Sequence, residues 1–386
     1  MMRFKTGLLT ALALGGWLMS GSRSHADEPV VLSLDAPPVT KNTADAAHPV
    51  KASCGALSGG CAFVPNMIGD GLGVPLTGFP PAGPGLLLYP AHIAKIADNH
   101  NVLPQDRVAL SYGFYDNFPA VVGAPGSNRD VDLHEFKWLL EKTFLGGRMS
   151  AEIIVPFAST LDAHQPWSQA GYGVRASEFG NLAFGIKGLL IERPNFALST
   201  GLLVEAPTAR ALVVQAPGLP EGRVSNDAWF FTPYVGARWT RGENFFTHAF
   251  VSYRMASADN RQVSDGVAIG SDYDVQDLLM VDGGAGYWIY RNPSCRGLRG
   301  IAPTVELHYA TTTTDSREAF NHFTINRVDS LNLTAGATAL IGERGTIAVG
   351  VNIPLRDHNF AGFGPTDRAF DWALMVQANF FFGGRR

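Results

Sequence analysis

From Asp106 to the C-terminus the chain repeats one device, in which stretches of ten to fifteen residues carry apolar side chains at every second position. A period of two is that of a β-strand with one greasy face, not that of a helix. In Thr346–Leu355, Ile347, Val349, Val351 and Ile353 point one way, and Ala348, Gly350 and Asn352 the other. In Phe370–Phe382 the series Phe370, Trp372, Leu374, Val376, Ala378, Phe380 and Phe382 opposes Asp371, Ala373, Met375, Gln377 and Asn379. Twelve such segments are predicted, over about 106–115, 132–144, 148–158, 178–192, 196–206, 226–240, 245–256, 274–290, 301–312, 325–341, 346–356 and 369–382. The eighth is the hardest to phase, because Leu278, Leu279 and Met280 are all apolar.

The connections narrow the fold further. They alternate between long polar loops such as 116–131, 159–177 and 207–225 and tight turns such as 145–147, 193–195 and 342–345. Only 291–300 is intermediate. Short turns at one end and long loops at the other are the pattern of a transmembrane β-barrel. A water-soluble sandwich also has alternating strands, but its connections have no reason to alternate in length and its outer face should be charged. Here that face is almost free of charge, and its aromatics (Trp229, Phe231, Trp239, Tyr287, Tyr290, Phe380) sit where headgroup girdles would be. The expected fold is therefore all-β, a transmembrane antiparallel barrel of about twelve strands over residues 106–386, with a Pro/Gly-rich N-terminal extension.

Composition excludes other classes. Charged residues make up only 17% of the chain, and no apolar run beyond the first twenty residues approaches the ~18 that a membrane helix requires. A basic start (Arg3, Lys5), an apolar stretch from Gly7 to Met19 and Ser24-His25-Ala26 read as a cleavable signal peptide over 1–26. Its removal leaves 27 bases against 34 acids, a net charge of −7 that offers nucleic acid nothing to bind. Residues 27–105 are punctuated by Pro37-Pro38, Gly69-Asp70-Gly71, Pro80-Pro81 and Pro84, and read as an irregular periplasmic segment or plug; only Ala91–Ala97 suits a short helix. Cys54 and Cys61 enclose a short loop that an exported protein would close as a disulfide worth roughly 2.5 kcal/mol. Two free thiols are the alternative.

Ala94–Asn99, Pro104–Val108 and the aromatics Tyr112, Phe114 and Tyr115, followed by Glu141–Arg148 with Ser150, resemble a signature of outer-membrane proteins from planctomycete-type bacteria. The likeness spans about residues 92–158. More distantly, the twelve-strand plan is similar to barrels of the meta-pathway phenol-degradation transporter type. The resemblance implies an outer-membrane location and a barrel, and brings no catalytic residue or cofactor with it.

Enzyme motifs are incomplete. His134-Glu135-Phe136-Lys137-Trp138 has Trp where a zinc-protease helix needs its second His, and it reads as a strand. Gly69–Gly73 lacks the flanking strand and helix of a dinucleotide loop, and neither His248 nor His308 is followed by a serine placed for activation. No enzyme activity, cofactor or metal is expected. The inward face carries the remaining chemistry: Glu135, Lys137, Glu141, Glu152, Lys187, Glu205, Arg238, His248, Arg254, Glu306, His308 and Asp371, with Asn332, Thr334, Asn352, Gln377 and Asn379. These residues line either a wet pore that sets solute preference or a packed polar core. The expected function is a passive porin-like channel for small solutes, touching outer-membrane lipid, with homo-oligomerisation left open. The alternatives are a non-conducting structural or adhesion barrel, and a transporter of hydrophobic compounds past Phe230, Tyr234 and Phe250.

Overall fold

The computed structural model describes residues 63–71, 94–116, 133–159, 173–175, 179–209, 212–215, 222–259, 261–264, 267–268, 276–314, 329–356, 368 and 370–382. Twelve long strands alternate up and down: β1 (Arg107–Asp116), β2 (Leu133–Phe144), β3 (Met149–Ser159), β4 (Ala183–Arg193), β5 (Phe196–Glu205), β6 (Phe230–Arg241), β7 (Phe245–Ala256), β8 (Leu278–Tyr287), β9 (Leu298–Thr312), β10 (Asp329–Ile341), β11 (Gly345–Pro354) and β12 (Trp372–Phe381). Each pairs antiparallel with the next. The last pairs with the first through ten residue pairs, from Arg107↔Phe381 to Asp116↔Trp372. The sheet is therefore a closed barrel of the expected strand number, with no long edge left unpaired.

The two-residue period sorts the side chains as the sequence predicts. On β11, Ile347, Val349, Val351 and Ile353 are each more than 40% exposed, while Ala348 and Asn352 between them are buried. Trp138, Leu140, Phe184, Ile186, Val235, Val251, Val281, Val305, Leu307 and Phe380 continue this apolar exterior around the barrel. Such a surface is stable against hydrocarbon, where every backbone polar group must find its partner within the barrel. Exposed charges such as Lys142, Arg193, Arg241 and Arg344 sit at the turn ends of their strands.

At the turn end the hairpins are tight. Gly242 and Gly342 open the three-residue turns β6–β7 and β10–β11 at φ 64° and 57°, in the left-handed region that glycine enters without strain. A short 3₁₀ turn, Leu145–Gly147, joins β2 to β3.

Three departures from the sequence reading stand out. The long connections are not only polar loops: Gly173–Arg175, Leu212–Gln215, Gly222–Val224, Gln262–Ser264 and Val267–Ala268 pair into a second, five-stranded sheet drawn from three of them. Those stretches are too short to register as spanning segments. Phe370 is buried against Tyr115, with ring centroids 5.4 Å apart, because it precedes β12 and is not bound by the strand's alternation. Finally, Ala94–Ala97 forms no helix; residues 96–99 make a turn. Cys54 and Cys61 lie outside the described residues.

A lysine in place of Val349, midway along the exterior of β11, is expected to destabilise the barrel by about 2–4 kcal/mol. Val349→Leu is expected to be nearly neutral. Reversible urea unfolding in lipid vesicles measures both.

Candidate functional site: the occupied lumen

Two passes of the N-terminal extension run inside the barrel. The first, Phe63–Gly71, starts at the turn end, where Phe63 lies 6.3 Å from Trp288 and 6.1 Å from Phe381 by ring centroids, and its carbonyl accepts the Trp288 indole N–H at 3.2 Å. It ends at the loop end of β1, where a Cβ on Gly71 would collide with the Tyr115 hydroxyl. The second pass starts at Ala94, whose N–H points to Glu205 at the loop end of β5, and descends to Asp106 at the start of β1. The passes hold each other through Met67 N–H to His100 O at 3.0 Å and Asn99 N–H to Met67 O at 3.1 Å. Asn99 takes a left-handed φ of 54°, which its short polar side chain tolerates.

The inward face of a lipid-facing barrel is polar by exclusion, and these passes bring its polar groups their partners. At mid-height Lys95 Nζ lies 2.6 Å from Asp70 and 2.8 Å from Asp282, and His308 Nδ1 lies 2.9 Å from the same Asp282 oxygen. Asn332 donates to the other Asp70 oxygen at 2.8 Å. Glu306 sits between His308 and His248 at 3.3 and 3.6 Å and accepts the backbone N–H groups of Ile68 and Gly69 at 2.9 Å each. The Ile68 carbonyl accepts from Gln377.

Nearer the turn end, Glu141 bridges Arg107 and Lys187, each at 2.9 Å, while Arg107 also donates to Asn379 at 2.7 Å and Lys187 to the Asn101 carbonyl at 2.9 Å. His100 meets Glu152 at 2.9 Å. Lys137 joins Asp98 at 2.9 Å to Glu135 at 3.1 Å. Toward the loop end, Arg254 binds Glu205 at 2.7 Å and lies 3.5 Å over the Phe230 ring. All these groups are buried, so an unpaired member would carry a full desolvation penalty.

Of the twelve residues that the sequence assigns to the lumen, eleven point inward and are buried. Ten of them are joined by the ion pairs above. The eleventh, Arg238, has no ion pair. Asp371 departs from the group: it precedes β12 at the loop end, is about a third exposed, and pairs with Arg368 at 3.2 Å. The partners on the extension (Asp70, Lys95, Asp98, Asn99, His100) and Asp282 on β8 are not among the residues that the sequence assigns to the lumen. Asp282 was hidden because Leu278 and Met280 point inward and Leu279 and Val281 outward, which blurs the alternation. The charged run Lys95–His100 within a Pro/Gly-rich stretch was the available signal for the rest.

Asp70, Asp282 and His308 bring one donor atom each within 4.8 Å of one another, a spacing that suits a metal ion. The Lys95 ammonium already fills the cation position between the two carboxylates.

Among known proteins, the family described as "Putative MetA-pathway of phenol degradation" matches residues 114–363. The COG4313 outer membrane channel from Pseudomonas putida F1 is 12% identical, with 72% of this chain and 96% of that one covered and a TM-score of 0.48. The translocator domain of the autotransporter NalP from Neisseria meningitidis is 9% identical, with 74% and 90% covered and a TM-score of 0.42. Likenesses this loose bear on neither substrate nor mechanism. No curated protein matches the sequence.

Lys95→Met is expected to cost about 3–5 kcal/mol, since it strands Asp70 and Asp282 in the lumen. Adding Asp70→Asn and Asp282→Asn should return most of that loss in the same urea titration. Where the second pass enters β1, burial pushes the Asp106 carboxyl up, but the Thr143 N–H (2.6 Å) and hydroxyl (2.7 Å) and the Lys142 ammonium (3.1 Å) together hold it below its ordinary value of 3.8. A depressed folded-state pKa contributes stability above the unfolded pKa and loses it as pH falls through the folded one. The stability difference between the wild type and Asp106→Asn should therefore be flat above about pH 5 and shrink toward more acid pH.

Proposed function

The chain belongs to this MetA-pathway phenol-degradation family, and from that premise we propose that it is a passive, porin-like conduit for small solutes in the outer membrane, exported by a cleaved leader. Its sequence likeness over residues 92–158 to barrels of planctomycete-type bacteria belongs to the same reading.

The observation that carries the proposal is the one-sidedness of the internal segment. Its side chains and backbone bond to β1–β5, β8, β9, β10 and β12. Among the described residues it makes no hydrogen bond to β11 or to the adjacent pair β6 and β7, and it touches that pair through Met67 against Tyr234 and Phe250 and through His100, edge-on to Tyr234 at 6.4 Å. On that wall Thr232, Tyr234, Arg238 and Ser252 keep buried polar atoms without a partner. This wall, mixed polar and apolar, is the adjacent pair of strands that the described internal segment does not tie down by hydrogen bonds, and along this wall we place the path of water and solute.

One observation favours the second reading, a non-conducting structural or adhesion barrel: Glu152 and Arg238 are both shielded, at 7% and 4% exposure. The inward aromatics Phe230, Tyr234 and Phe250 leave room for the third, an apolar route for hydrophobic compounds. Planar-bilayer recording and liposome swelling decide among them. Folded protein is expected to conduct KCl in discrete steps and to swell vesicles in small sugars. A barrel that passes neither ions nor sugars is a structural one, and one that passes only apolar compounds is a hydrophobic transporter.

A further inference from the structure

Three neighbouring turns at the turn end of the barrel carry five arginines: Arg241 at β6–β7, Arg291, Arg296 and Arg299 at β8–β9, and Arg344 at β10–β11. Two glutamates, Glu243 and Glu343, stand against them. The β8–β9 connection is the longest of the turns and continues as a paired hairpin, Tyr290↔Ile301 and Arg291↔Gly300, closed by Cys295 N–H to Asn292 O at 3.2 Å. Backbone bonds tie the three turns into one platform, with Trp288 N–H donating to Asn244 O at 3.0 Å and Gly342 N–H to Gly297 O at 2.7 Å. Arg291 donates to the Glu243 carbonyl at 2.8 Å, and Arg299 to the carbonyls of Pro293 and Gly342 at 2.7 and 3.4 Å. A carbonyl has no net charge, so these bonds hold the two guanidinium groups in place without neutralising them.

Strand parity says what these arginines face. The outward row of β6 runs from Val235 through Trp239 to Arg241. That of β8 runs from Val281 to Tyr287 and, past the strand, to Ile289 and Arg291. That of β9 runs from Val305 through Ile301 to Arg299. The face that meets hydrocarbon therefore ends in arginine on three strands. Ile289 is 66% exposed, Tyr287 49% and Ile341, just before Gly342, 40%, so apolar surface reaches up to the charges. A free anion would use the arginines and leave that apolar border idle. A lipid at the interface presents both chemistries, a phosphate and an acyl chain, in the same order along the membrane normal.

We propose that the three turns form a binding site for an anionic glycerophospholipid of the leaflet they face, with the phosphate on the arginines and an acyl chain along Tyr287, Ile289 and Ile341. The planar fork of a guanidinium matches phosphate oxygens through paired bonds. Each basic side chain near a membrane surface adds to the attraction for anionic headgroups. The other side of the rim differs: Lys142 on β2 is paired with Asp106 at 3.1 Å, and the turn β4–β5 sets a single arginine, Arg193, beside Glu192. The site lies on the exterior, so it does not depend on whether the lumen conducts.

The test is native mass spectrometry of the folded full-length protein in non-ionic detergent, with phosphatidylglycerol, phosphatidylcholine of the same acyl chains, and inorganic phosphate. Phosphatidylglycerol should bind roughly tenfold tighter than phosphatidylcholine, and the preference should shrink as ionic strength rises. Inorganic phosphate in excess should not displace the lipid. The triple variant Arg241→Gln, Arg296→Gln and Arg344→Gln leaves the carbonyl bonds of Arg291 and Arg299 intact and should lose most of the preference, whereas Arg193→Gln should keep it. Ile289→Ser should weaken both lipids alike. Heat-modifiable gel migration checks that each variant is folded, and the wild-type preference stands independently of any variant. Equal binding of the two lipids, or a folded triple variant with the wild-type preference, would overturn the site. Displacement by inorganic phosphate would also overturn it, since the arginines would then hold a free anion and not a lipid.

Discussion

Pairing of β12 with β1 is the interaction on which the rest of the molecule depends. Hydrocarbon offers no partner to a peptide N–H or C=O, so a sheet in the bilayer must have no edge. Once Arg107 faces Phe381, the ten-pair seam completes the circuit of registers that runs through β1–β12. A slip of one residue anywhere would turn every following apolar side chain from lipid to lumen. Closure thus fixes which half of each strand is greasy and which half is polar, and every feature of the interior follows from that division.

The exterior was legible because it obeys one local rule repeated twelve times. Trp138 and Leu140 alternating with Lys137 and Glu141 on β2, or Val349 and Val351 alternating with Ala348 and Asn352 on β11, announce both the strand and its inward face. The rule weakens where inward positions are also apolar, as at Leu278 and Met280, and there Asp282 does not stand out. It also had nothing to say about Phe370, which lies just outside a strand.

The interior was half legible. Parity identifies Glu141, Glu152, Lys187, Glu306 and His308 as inward, but not their partners, which lie far away in sequence. Lys95 is 187 residues from Asp282 in the chain and 2.8 Å from it in space. No periodicity carries information of that kind, because the extension has no repeating structure. Its local glycines point to a tight path, as at Gly69 and Gly71, without saying what the path passes. Asn99, bonded to Asn66, Ser111, Arg107 and Asn379, illustrates the limit: a single amide ties both passes to two strands, and the sequence marks its stretch, Ala94–Asn99, without saying what the side chain meets.

Strand number explains why an internal segment is present and why one wall meets it without ion pairs. Eight strands enclose an interior that their own side chains fill, and sixteen enclose an aqueous channel. Twelve fall between: the walls carry charges whose desolvation is costly, yet opposite walls stand too far apart to neutralise each other throughout. Two passes of chain bring matched charges to the cross-section, Lys95 to Asp282, His100 to Glu152 and Asp98 to Lys137. Two passes have a limited number of faces, however, and theirs are committed to the strands on either side of β6 and β7. Among the described residues Arg238 is the buried Lys or Arg left without an ion pair, and it lies on the wall that the two passes meet by packing, through Met67 and His100, and not by charge.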